Sequence, residues 1–94
     1  QVPIDPKTGK IVDGGIKEQT DQVMKNIGEI LKAAGYTYDN VVKSTCLLND
    51  MENFTAMNEV YAKYYPNNPP ARAAYGVVKL PLGAMVAIET IAMK

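Results

Sequence analysis

The sequence contains no histidine. This excludes Ser-His-Asp and Cys-His nucleophile sites, and any general base whose ordinary pKa lies near neutrality. Cysteine is nearly absent too, with Cys46 the only one. A single thiol cannot close an internal disulfide, and without histidine it cannot supply the usual zinc ligands. The expectation is therefore no metal and a reduced, intracellular setting, with the cytoplasm first and the mitochondrion as the alternative. An excess of either charge is missing as well: ten Lys and Arg balance ten Asp and Glu. A nucleic-acid footprint needs a basic surplus on one face, so the balance counts against one. No apolar run approaches the roughly 18 residues of a membrane span, and no signal-peptide pattern opens the chain. "KTGK" at Lys7–Lys10 lacks the full spacing of a phosphate loop and reads as a turn.

What is present is a single domain of 94 residues, 47% hydrophobic and 21% charged. A chain this short buries only roughly 60–65% of its unfolded surface, and association with other copies is the common remedy. Residues 1–12 read as a strand end followed by the turn "DPKTG". Asp13-Gly14-Gly15 breaks the chain. A helix is then predicted from the spacing of Ile16, Val23, Met24, Ile27, Ile30, Leu31 and Ala34, stopped by Gly35. Gly28 lies inside it and costs about 1 kcal/mol against alanine, so it reads as a close-packing point.

"VVKSTCLL" (Val41–Leu48) is β-branched and apolar and is predicted as a strand. Asp50 offers a helix N-cap. The second helix carries Phe54, Met57, Val60, Tyr61 and Tyr64 on one stripe and ends at Pro66. After "PNNPP", strands are predicted over Arg72–Lys79 and Ala84–Met93, with Pro81 and Gly83 in the turn between them. The order β-α-β-α-β-β describes an α+β fold with two helices on one face of a sheet. The last strand is mostly apolar on both sides: Ala84, Val86, Ile88, Thr90, Ala92 on one, Met85, Ala87, Glu89, Ile91, Met93 on the other. Two helices cover one face, so the other needs a cover, and another copy of the chain is the simplest.

Arg72 is the one charged residue in "NNPPARAAYGVV". An arginine in so apolar a strand needs an anion. That anion is either an acidic side chain or a ligand carboxylate gripped by the guanidinium fork. Composition alone leaves both open, the ion pair being the commoner case. Glu89 is the only acid of the last strand, and it reads either as the partner of Arg72 or as a site acid. Asn58 borders the apolar stripe, as a ligand-facing amide or a backbone-bonding one. Cys46 sits mid-strand with no flanking cation and reads as an inert buried thiol. The six tyrosines lack a basic interleave and suit a core or an interface.

Three stretches, "QVPIDPKTGKIVDGGIKEQTDQVMKNIGEILKAAG", "VVKSTCLLNDMENFTAMNEVYAKYY" and "NPPARAAYGVVKLPLGAMVAIETIA", resemble the Rid (YjgF-type) family, also called L-PSP endoribonucleases, over the whole chain. The resemblance implies a chorismate-mutase-like fold assembled as a homotrimer, with the sheets forming a central barrel and ligand clefts between subunits. It implies hydrolysis of reactive 2-aminoacrylate-type enamines and imines to 2-keto acids and ammonia, without a cofactor. The family's arginine in "PAR" matches Arg72 and would hold the substrate carboxylate. Backbone groups at Ala73 and Ala74 would orient a water, and the family's helix asparagine matches Asn58.

This chain departs from the family's active branch at two positions. Ala74 stands where that branch has a cysteine. Ala87 stands where it has a glutamate, and Glu89 is roughly 7 Å further along the strand. Members also begin with about two more strands, so the expectation is one Rid-type domain over 1–94 without that N-terminal hairpin. Two other functions stand beside the deaminase: a non-catalytic trimer that senses small keto acids or related carboxylates, and an endoribonuclease, which the absent histidine and basic patch disfavour.

Overall fold

The computed structural model describes residues 1–94. The first twelve residues form a small antiparallel hairpin, β1 (Ile4–Asp5) and β2 (Lys10–Ile11), around the "DPKTG" turn. One strand end was expected there; the turn instead folds the segment back on itself, with the Gly9 and Thr8 amides both donating to the Asp5 carbonyl. Helix α1 (Ile16–Ala33) follows. Its start is tied by the Glu18 carboxylate, which accepts the Gly15 N–H at 2.7 Å. Its end turns out through Gly35 at φ +81°, a left-handed conformation that glycine adopts without a Cβ penalty.

Strand β3 (Val41–Leu48) has the predicted bounds. Asp50 caps as expected, but the structure it caps is a short 3-10 turn (Met51–Asn53), the Asp50 carboxylate accepting the Glu52 N–H at 2.9 Å. Helix α2 (Phe54–Lys63) continues from that turn. The last strands are shorter than predicted: β4 is Ala71–Gly76 and β5 is Val86–Ala92. Met85 is withheld from β5 because Gln19 of α1 takes its N–H at 2.8 Å, while Ala84 closes the Pro81–Gly83 turn.

The main sheet is three-stranded, in the order β4-β3-β5. β3 and β4 are parallel, joined by α2 as the crossover, and β3 and β5 are antiparallel. Both helices lie on one face. Val23, Met24, Ile27 and Leu31 of α1 and Met57 and Tyr61 of α2 pack with Cys46, Leu48, Val86 and Ile88 of the sheet in a single core cluster. Gly28 is the close-packing point its sequence suggested: a Cβ there would collide with the Tyr38 hydroxyl, which donates to the Met24 carbonyl at 2.5 Å. The helices are also stitched by Tyr64, whose hydroxyl donates to Asp21 at 2.5 Å. That hydrogen bond holds the Asp21 carboxyl below its ordinary range.

The opposite face has no such cover. Tyr75, Ile91 and Met93 are each more than half exposed. No helix is long and apolar enough to cross a membrane.

Candidate functional site

The site begins with a proline-rich approach. Pro69 and Pro70 carry no N–H and deliver the chain to β4, which pairs only with β3 and so forms one edge of the sheet. Arg72 is the second residue of that strand and the only arginine in the chain. It pairs in register with Ser44. Ser44 is fully buried beneath the helices, so Arg72 projects on the helix-covered side, at the exposed rim.

There it meets α2. Phe54, Asn58 and Tyr61 are spaced i, i+4, i+7 and form one stripe along the helix. The guanidinium lies across that stripe. Its Nη1 donates to Asn58 Oδ1. Its carbon is 5.2 Å from the centroid of Phe54 and 5.1 Å from that of Tyr61, within the range of cation–π attraction. Beside it opens a cleft of about 320 Å³, lined by Asn58, Tyr61, Ala62, Tyr65, Pro70 and Arg72.

No carboxylate stands near this cation. The ion pairs of the chain are Lys17 with Glu59 at 2.8 Å and Lys25 with Asp21 at 3.0 Å, both on the helix surface. Glu89 is not the partner that strand composition offered. It pairs in register with Thr45, one residue along from Ser44, and so occupies the opposite face of the sheet from Arg72. Within one chain it is set apart from the cleft and lines a different groove, of about 260 Å³, with Ile27, Leu31 and Ile88. Ala87 pairs with Leu47 on the same face as Glu89. Of the two readings of Arg72, the intrachain ion pair is therefore removed.

The two alanines after Arg72 are placed differently. Val77 N–H donates to the Leu48 carbonyl at 2.8 Å. The two-residue period of a parallel ladder then turns the Ala73 and Tyr75 amides toward β3. The backbone groups of Arg72 and Ala74 face the open edge instead. Ala74 also shares the Arg72 side of the sheet, pairing with Cys46, whereas Ala73 pairs with Thr45 and belongs to the other side. Only Ala74 offers a free amide next to the guanidinium; the Ala73 amide is engaged in the sheet.

Below the cleft the chemistry is quiet. Cys46 is fully buried, and burial pushes its thiol up to about 11, against the smaller opposing pull of Arg72. Burial likewise raises the Tyr61 and Tyr65 phenols. The hydroxyls of Ser44, Tyr61 and Tyr65 are buried and lack a protein hydrogen-bond partner. No three acidic or cysteine side chains come together to hold a metal ion. The cleft thus presents one fixed cation and an amide, and no group that titrates near neutrality. Sequence reasoning placed Phe54 and Tyr61 in the core and missed their part here. The signal was the aromatic–amide–aromatic stripe itself, whose meaning depends on what the sheet lays against it.

Comparison with known proteins agrees with this architecture. A family model of Endoribonuclease L-PSP matches residues 1–94. The chain is 54% identical over 94 residues to the RutC family protein PH0854 of Pyrococcus horikoshii, covering all of this chain and 75% of that one. It is 52% identical over 94 residues to a Mus musculus protein named 2-iminobutanoate/2-iminopropanoate deaminase, covering 70% of it. Among solved structures, E. coli TdcF with bound serine superposes with a TM-score of 0.95 at 30% identity, over all of this chain and 76% of that one. The chain belongs to the Endoribonuclease L-PSP family, the family that its three quoted stretches resemble.

Proposed function

We propose that the protein hydrolyses small 2-imino and enamine carboxylates to 2-keto acids and ammonia, with Arg72 holding the substrate carboxylate. The observation that carries this is the state of Arg72. The only arginine of the chain is stacked and hydrogen-bonded in place beside an open cleft, with no acidic side chain to neutralise it. A guanidinium so placed suits an anion that arrives as ligand, and a carboxylate matches its fork. The mouse relative named as an imine deaminase supports the reaction class. The TdcF structure with bound serine supports a small amino-acid-like carboxylate as ligand of this fold.

The chemistry asks little of the protein. The carboxylate sits on the fork of Arg72, with the Ala74 N–H as a second donor at the strand edge, and Asn58 steadies the guanidinium. Water adds to the electrophilic C=N carbon. The carbinolamine collapses to C=O, and nitrogen leaves as ammonia carrying the protons that water supplied. Fixing the substrate against a water can provide much of the rate for such an activated carbon. The uncovered sheet face supports a homotrimer in which copies cover one another and bring further residues, Glu89 among them, toward a neighbour's cleft. The free buried thiol of Cys46 suits a reduced compartment such as the cytoplasm.

A second reading is favoured by one specific observation: the cleft holds no group titrating near neutrality, and Ala87 supplies no acid. A trimer that binds keto acids or related carboxylates without turnover fits that equally. The family's endoribonuclease name has no basic patch behind it here. The test is release of 2-keto acid from an imine generated in place by an amino-acid oxidase, comparing wild type with Arg72→Ala. Acceleration by wild type alone supports the deaminase. Keto-acid binding without acceleration leaves the binder.

A further inference from the structure

We infer that Phe54 and Tyr61 are positioning residues, a pair of aromatic jaws that set the Arg72 fork for its anion before the anion arrives. The inference rests on the reading of Arg72 as a carboxylate holder and extends it to residues that act through the guanidinium.

An exposed arginine normally samples many rotamers, and binding a carboxylate would have to freeze them. Here the freezing is done in advance. Phe54 and Tyr61 are seven residues apart, about 10 Å along the helix axis. The guanidinium lies between them at 5.2 and 5.1 Å from the two ring centroids. Asn58, midway on the same stripe, takes one of its N–H groups. Three contacts along one stripe of the helix determine where the planar group sits. Of its five donors only that one is engaged within the chain, so the others stay available to a ligand.

The jaws differ in kind. Tyr61 is 3% exposed and locked in the core, its ring 4.9 Å from that of Tyr65. Phe54, the only phenylalanine, is half-buried at the rim. Tyr61 is the fixed jaw and Phe54 the one open to change.

Phe54 therefore carries the test, because it packs against the edge of the core while Tyr61 lies within it. The variants are Phe54→Leu, which keeps bulk and removes the ring, and Phe54→Tyr, which keeps the ring. With a single arginine in the chain, the arginine Nε–Hε signal in a nitrogen–proton NMR spectrum is Arg72 alone. It should be displaced upfield by ring currents in wild type and Phe54→Tyr, and move toward the free-arginine position in Phe54→Leu. The dissociation constant for 2-oxobutanoate should rise roughly five- to tenfold in Phe54→Leu and stay near wild type in Phe54→Tyr. With an imine substrate the same factor should enter KM and leave kcat nearly unchanged, since a preset fork serves ground state and transition state alike.

Phe54→Leu binding 2-oxobutanoate as tightly as wild type overturns the inference, as does a wild-type Arg72 signal with no upfield displacement. Wild type that binds 2-oxobutanoate without hydrolysing an imine, with Phe54→Leu weakening that binding, supports the jaws and removes only the deaminase reading.

Discussion

The two faces of the main sheet are built from the same three strands and from similarly apolar residues. On the helix side Cys46, Leu48 and Val86 are fully buried, and Arg72 stands at the rim, gripped by rings of α2. On the other side Tyr75, Ile91 and Met93 are open, and Glu89 stands among them without a salt bridge. The difference teaches that apolar content alone does not determine which face is finished. The helices can reach only one, and the residue that looks odd in the sequence, Arg72, lies on the finished one. Its partners are aromatic rings and an amide, contacts that hold a cation without neutralising it. That is what leaves its charge available.

Arg72→Ala sharpens the contrast most. Removing the cation at the rim should lower kcat/KM for imine hydrolysis at least about 100-fold, since a charge-assisted bidentate contact and the orientation it provides are lost together. The fold should remain, because the side chain is exposed, and circular dichroism checks that. The next largest effect belongs to the open face. Ile91→Glu places a charge on the surface proposed to meet another copy, and should shift the protein to a smaller species in sedimentation velocity without unfolding it. An unchanged sedimentation coefficient would remove that face as the contact between copies.

On the closed face the effects are smaller. Tyr64→Phe removes the hydroxyl that bonds Asp21, and should cost about 1 kcal/mol in urea unfolding at neutral pH. The folded Asp21 carboxyl sits below its ordinary 3.8, chiefly through that hydrogen bond. Its contribution is therefore full above the unfolded value and is lost as pH falls through the folded one. The gap between wild type and variant should be constant above about pH 5 and close in acid below about pH 4. A gap that stays the same at pH 3 would show that the bond to the charged form is not its source. Gly28→Ala should show the least, a net loss of under about 1 kcal/mol. The helix gains from alanine, but the Tyr38 hydroxyl must give way and stretch its bond to Met24. A gain in stability would mean that Tyr38 moves aside freely.

The elements set by local pattern were legible in the residues. The spacing of Val23, Met24, Ile27 and Leu31 marks one face of α1, and "VVKSTCLL" delimits β3 at both ends. Gly28 and Asp50 read correctly as a close approach and a cap, because each is a statement about its own few neighbours. Arg72 stood out for a reason equally local, a charge in an apolar strand. What it answers to was not local. Whether it meets Glu89 depends on the register of two strands that do not pair with each other, each set through β3, and a shift of one residue would exchange the faces. Whether Phe54 and Tyr61 are only core or also hold a cation depends on where the crossover helix comes to lie against the sheet edge. The sequence by itself determined the helices, the central strand and the presence of one unmatched cation, since these follow from periodicity and chain stiffness within a few residues. Only the tertiary structure decided that the cation is stacked rather than neutralised, since register and packing are set by burying the whole core at once.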